Sequence, residues 1–323
     1  MEADILVDRR RMRRKLVFWR VVATLLVIAA IFAGGMLATG SGRQALTSSG
    51  AVARVTINGL IRSDQDRVEA LERLGRSAAP AVIVHINSPG GTTAGAEQLY
   101  DSLVRLKARK PLVVVVDGMA ASGGYIAALA ADQIVAQGSS LVGSIGVLVQ
   151  FPNFADLLKT VGVSVESVKS SPLKAAPNGF EPTSPEARAA LESIVRDSYA
   201  WFRGLVKERR AMDDQLLARV SDGRVFTGRQ AVDLKLIDQL GDEKTALAWL
   251  AKEKGIKEDL PVRDFRLSSR VGNLGFLRLM AVTLLDASGL GELARGLESG
   301  LISAADQATL EGLLALWRPS AMP

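Results

Sequence analysis

The chain has no cysteine and only one histidine, His85, in 323 residues. Without cysteine there are no disulfides, thiol nucleophiles or thiolate metal sites. With one imidazole there is a single possible Ser–His pairing and no histidine cluster for a metal. The carboxylates are scattered and show no metal-ligand spacing, so neither a metal nor another cofactor is expected. Surplus charge is also scarce outside one tail. The first 20 residues hold seven Lys or Arg against three acids, which leaves only +2 of the total +6 for the other 303. That distribution excludes a nucleic-acid-binding surface.

Charge is missing altogether from Val21 to Ala38. An uncharged apolar stretch of this length can cross a thin hydrocarbon core as one helix. The basic flank before it should stay cytoplasmic, placing the bulk of the chain on the other side. A cleaved signal peptide is the competing reading; the length of the run and the mediocre site at Leu37–Gly42 favour an uncleaved anchor. The expected organisation is a basic tail over 1–20, a transmembrane helix over 21–38 and a Gly/Ser/Thr-rich linker over 39–50. A globular domain over 51–270 follows, then a Leu/Ala/Gly-rich C-terminal arm over 271–323 whose spacing suggests amphipathic helices.

Within the globular part, strand and helix patterns alternate. Strands are expected over 52–57, 81–86, 112–116 and 133–136. Helices are expected over 65–77, 94–107, from Ser122 to Ala131, over 185–210, after Gly228 and over 242–254. The runs 81–86 and 112–116 are apolar almost throughout, as in parallel strands covered on both faces. Four prolines between 172 and 185 mark a loop.

Two glycine-flanked serine motifs stand out. Asn87-Ser88-Pro89-Gly90-Gly91 and Met119-Ala120-Ala121-Ser122-Gly123-Gly124-Tyr125 each follow a β-branched run and read as tight turns into a helix. Such turns present a serine hydroxyl beside unencumbered backbone N–H groups, which can stabilise an oxyanion. Gly123 is adjacent to the Ser122 hydroxyl, and Gly91 lies in the parallel turn one strand away. A serine nucleophile needs a base. His85, between Val84 and Ile86 in an apolar strand, reads as a satisfied core histidine. A lysine serves when burial disfavours its ammonium form. Lys174 is the leading candidate and Lys169 its nearby competitor.

Taken together, Asn87-Ser-Pro-Gly-Gly, Gly118-Met-Ala-Ala-Ser-Gly-Gly-Tyr, Gly143-Ser-Ile-Gly-Val, Lys169-Ser-Ser-Pro-Leu-Lys and Gly223-Arg-Val-Phe-Thr-Gly resemble the short bacterial signal peptide peptidases of the SppA type. The resemblance runs from about Val52 to Lys254. It implies an α/β fold of stacked ββα units like that of Clp protease and crotonase, preceded here by the N-terminal helix. It implies a serine–lysine peptidase with Ser122 as nucleophile, Lys174 as general base, Ser144 orienting that lysine and Gly91 in the oxyanion hole. It further implies remnant signal peptides and other hydrophobic peptides as substrates, with specificity near Val147–Val149 and Phe151. The implied location is the bacterial inner membrane, with the catalytic domain on the periplasmic side. The implied assembly is a homo-oligomeric ring with sites shared between subunits. A crotonase-like acyl-thioester enzyme and an inactive membrane scaffold are the alternatives.

Overall fold

Two β-branched runs become the central strands, and the site is built where those strands run on past their apolar cores. The computed structural model describes residues 50–267 and 314–316, all within the second of two units, residues 50–323. The expected basic tail, membrane span and linker lie outside the described residues, as does most of the C-terminal arm. Among the described residues no helix is long and apolar enough to cross a membrane.

Strands β1 (Val52–Ile61), β2 (Val82–Thr92) and β3 (Leu112–Ala121) pair in parallel. The expected alternation is present, with helix α1 (Gln65–Gly75) between β1 and β2, and α2 (Thr93–Lys107) between β2 and β3. Val82, Val84, Ile86, Val114 and Val116 are fully buried, each such burial stabilising by about 1.5–3 kcal/mol. The alternate residues Ile83, Val113 and Val115 pack with Val135 against Ala246 and Leu250 of a C-terminal helix, Glu243–Lys254. Both sheet faces are therefore covered, which explains why the runs are apolar rather than alternating.

All three strands are longer than the sequence pattern suggests. The Ser-Pro-Gly-Gly motif is not a turn after β2 but part of it. Register breaks between Asn58 and Leu60 in β1, and between Ile86 and Ser88 in β2, bend the strands there. Pro89 falls just past the bend, the sort of position where a strand tolerates proline. Beyond it β3 forks. Its first half pairs with β4 (Gln133–Ala136), and its end, Met119–Ala121, pairs with β5 (Leu141–Gly143). The strand β6 (Val225–Thr227) then adds antiparallel to β5, a departure from the all-parallel expectation.

The alanine-rich helix, α3 (Gly123–Ala128), is shorter than expected. Tyr125 fixes it to the body of the domain. Its ring is wholly buried and its hydroxyl donates to the Leu236 carbonyl at 2.7 Å. Burial pushes the phenol well above its ordinary value. Tyr125→Phe leaves that carbonyl unpartnered and is expected to cost about 1–3 kcal/mol, read as a lower denaturation midpoint.

His85 is satisfied, as expected, but by charge rather than by an apolar core. Its Nδ1 lies 2.8 Å from Asp117 and its Nε2 lies 2.9 Å from Glu243. Glu243 also accepts two hydrogen bonds from Arg54, both 2.6 Å. The Arg54 guanidinium, then burial acting in the opposite direction, then His85 set the Glu243 carboxyl, with a net lowering below its usual 4.5. A carboxyl lowered on folding contributes stability that is present above its unfolded value and lost as pH falls through its folded one. Glu243→Gln is therefore expected to be destabilised near neutral pH. Its deficit against the parent should shrink as pH drops below about 4.5, measured by denaturation across that range.

Candidate active site

Ser122 sits at the hinge between β3 and α3, with φ 53° and ψ −117°. A left-handed φ at a non-glycine residue costs about 1–3 kcal/mol and persists only where the surroundings impose it. Here they do. The Ser122 N–H donates to the Gly143 carbonyl at 2.8 Å, and the Ser122 carbonyl accepts from the N–H of Tyr125 and Ile126. The side chain is nearly buried yet makes no cap bond to the helix it precedes. Its hydroxyl has no hydrogen-bond partner among the described residues.

The register Ala121↔Gly143 sets Ser144 directly beside Ser122, one residue past the matched pair. Ser144 is also left-handed, at φ 51°, also buried, and its N–H donates to the Arg224 carbonyl at 2.8 Å. The structure thus brings two serines together, each in a conformation that its residue type resists.

Gly91 is required sterically. A Cβ there would stand 1.7 Å from the Ile61 carbonyl oxygen, so only glycine lets β1 and β2 approach this closely. Gly124 is similarly pressed against the Ser88 carbonyl, where a Cβ would lie at 2.7 Å. The start of α3 therefore rests on β2 just before Gly91. As the first residue of α3, Gly123 has an N–H with no intrahelical acceptor. The hydroxyl of the other motif's serine is already engaged. Ser88 is fully buried, donates to the Gly59 carbonyl at 2.7 Å and accepts from the Gly90 N–H.

Lys174 is not brought to Ser122 within one chain. It closes a turn in the proline-broken segment, its N–H donating to the Ser171 carbonyl, and its side chain is exposed without an ion pair or hydrogen bond among the described residues. Lys169 is already taken by Glu181 at 2.5 Å, and its ammonium holds that carboxyl below the usual value. The stretch around both lysines exposes Phe151, Phe154, Leu157, Val163, Leu173 and Phe180. Val149 and Phe151 line a surface groove with Leu191 and Val195 of the helix Pro185–Arg209. Among the described residues no group of three His, Asp or Glu is placed to hold a metal ion.

Parallel strands bent at a bulge, with a strained serine at the fork, define an α/β fold of the Clp protease and crotonase type. The family pattern described as Clp protease matches residues 65–137, and that described as Peptidase family S49 matches residues 104–257. A Synechocystis protein named as a candidate protease, slr0021, is 34% identical over 210 residues, covering 64% of this chain and 76% of its own. An Enterococcus faecium protein named as a candidate signal peptide peptidase, SppA, is 29% identical over 250 residues, 73% of each chain. The chloroplastic serine protease SPPA of Arabidopsis thaliana is 30% identical over 291 residues, 89% of this chain and 40% of its own. A ClpP1 variant from Listeria monocytogenes superposes with a TM-score of 0.41 at 16% identity, covering 58% of this chain and 91% of that one. The chain belongs to peptidase family S49. It is a serine peptidase of the signal-peptide-peptidase-like kind, which sets aside acyl-thioester chemistry.

Proposed function

We propose that the protein is a membrane-anchored endopeptidase in which Ser122 attacks the peptide carbonyl and Lys174 of a neighbouring subunit takes its proton. Ser144 orients that amine, and the Gly91 and Gly123 N–H groups hold the oxyanion. The observation that carries this reading is the division of the machinery. Among the described residues Ser122 is buried, strained and without a hydroxyl partner, whereas Lys174 is exposed and unpaired on an apolar surface of the same chain. Exposed aromatic and branched side chains in such density mark an interaction surface. Closing it against a second copy in a ring would also desolvate the amine, which disfavours the ammonium form.

Hydrophobic peptides, remnant signal peptides among them, are the proposed substrates. The uncharged run over 21–38 would hold the enzyme in the bacterial inner membrane with the catalytic domain on the periplasmic side. Tethering then raises the effective concentration of substrates already in the bilayer. The test is hydrolysis of an apolar peptide in detergent, with a serine-directed probe alongside. Ser122→Ala should abolish labelling and cleavage, and Lys174→Ala should abolish cleavage. Lys169→Ala, which removes only a Glu181 partner, should keep most activity. Cleavage that survives both of the first two substitutions removes the dyad.

A further inference from the structure

The chain carries its own occupant for the strand edge beside Ser122. Beyond the bend, β2 has β1 on one side, with Leu60 opposite Gly90 and Ile61 opposite Gly91. On its other side β3 accompanies it only as far as the pair Ser88↔Ala120, then turns away through Ser122 into α3. Residues 90–92 are left with one open edge, on the side where β3 ended just before Ser122. A short strand, β7 (Leu314–Leu316), fills it antiparallel, with Leu316 opposite Gly90, Ala315 opposite Gly91 and Leu314 opposite Thr92. The spacing in this arm suggests two amphipathic helices; residues 314–316 are extended.

An open strand edge next to a nucleophile is where an extended peptide gains main-chain hydrogen bonds, the usual way a sheet recognises a peptide. Its backbone would lie one strand spacing, about 4.8 Å, from that of Gly91. The sequence around β7, Leu313-Leu314-Ala315-Leu316-Trp317, is an uncharged apolar run, the class of peptide proposed above as substrate. We infer that residues 314–316 are a built-in competitor for the peptide groove, seated on the strand that carries Gly91 and displaced when substrate binds. The inference rests on the peptidase reading of that groove.

A docked segment raises the apparent KM by the inverse of the fraction of time the groove is free and leaves kcat unchanged. Successive N–H groups of a strand point to opposite edges, so of Ala315→Pro and Leu316→Pro one must remove a bond to β2. In the full-length enzyme that variant should lower KM for an apolar peptide at least threefold at constant kcat. A synthetic peptide spanning residues 311–318, added to it, should inhibit competitively. In a Ser122→Ala background, hydrogen exchange at residues 90–92 should be slow and should accelerate with the same proline. Unchanged KM and unchanged exchange in an active enzyme overturn the inference. If exchange accelerates but the parent chain has no peptidase activity, the strand contact stands and the competitor role falls with the peptidase reading.

Discussion

Mixing Ser122→Ala protein with Lys174→Ala protein is expected to restore peptidase activity that neither shows alone. Ser122→Ala removes the nucleophile and should reduce kcat by roughly 10⁴-fold or more. Lys174→Ala removes the base, a loss of about 10²–10⁴-fold. If each site takes its hydroxyl from one subunit and its amine from the next, a randomly mixed ring contains intact sites. At equal proportions about a quarter of the sites would be complete, since each site needs one unaltered residue from each of two independent neighbours. The structure motivates this because Lys174 is exposed, and unpartnered among the described residues, on the chain that holds a buried Ser122. Subunits must be dissociated and reassembled together for exchange to occur. A mixture that stays at the background of its components, after exchange is demonstrated by size and labelling, would place both groups in one chain and sink the shared site.

Gly91→Ala should be the most damaging added methyl among the described glycines. The added carbon would fall 1.7 Å from the Ile61 carbonyl oxygen. No side-chain rotation relieves a clash with backbone, so β1 and β2 must separate or slip. The stability cost should be at least the 1–3 kcal/mol, roughly, of ordinary overpacking. Moving the Gly91 N–H away from the proposed oxyanion should also lower kcat by about 10²–10³-fold. Denaturation curves and steady-state kinetics on the same preparation separate the two effects. Gly59→Ala is the comparison, because its Cβ would meet nothing within 4 Å although its φ of 70° still carries backbone strain. A Gly91→Ala enzyme as stable and active as the parent would remove both the close approach and the oxyanion role.

The central strands, the crossover helices and the proline-broken loop were legible because they rest on local patterns: β-branched runs, helical spacing and proline. The second half of each central strand was not. Ser-Pro-Gly-Gly punctuates a sequence in the same way whether the chain turns or merely bends at a bulge, so β2 seemed to stop at Ile86 when it continues to Thr92. The strands Leu141–Gly143 and Val225–Thr227 are too short to show a period, and their pairing is decided by residues more than 80 positions apart. Ser122 and Ser144 could be singled out by motif. Their left-handed backbones could not, because neither residue type prefers that region. His85 was read correctly as satisfied, yet its carboxylate partners lie 32 and 158 positions away and leave no local trace. The strand at 314–316 falls in the same class, since its partner on β2 is more than 200 residues upstream.

The fork in β3 divides one strand between two neighbours. Its first half answers to β4 and the buried layer beneath the helix Glu243–Lys254. Its last residues answer to β5 and through it to Ser144 and Arg224. Substitution in the first branch is expected to change thermal tolerance while the Ser122 hydroxyl stays in place. Substitution in the second is expected to shift the Ser122 hydroxyl without loosening the interior, so endurance and site geometry can be altered separately.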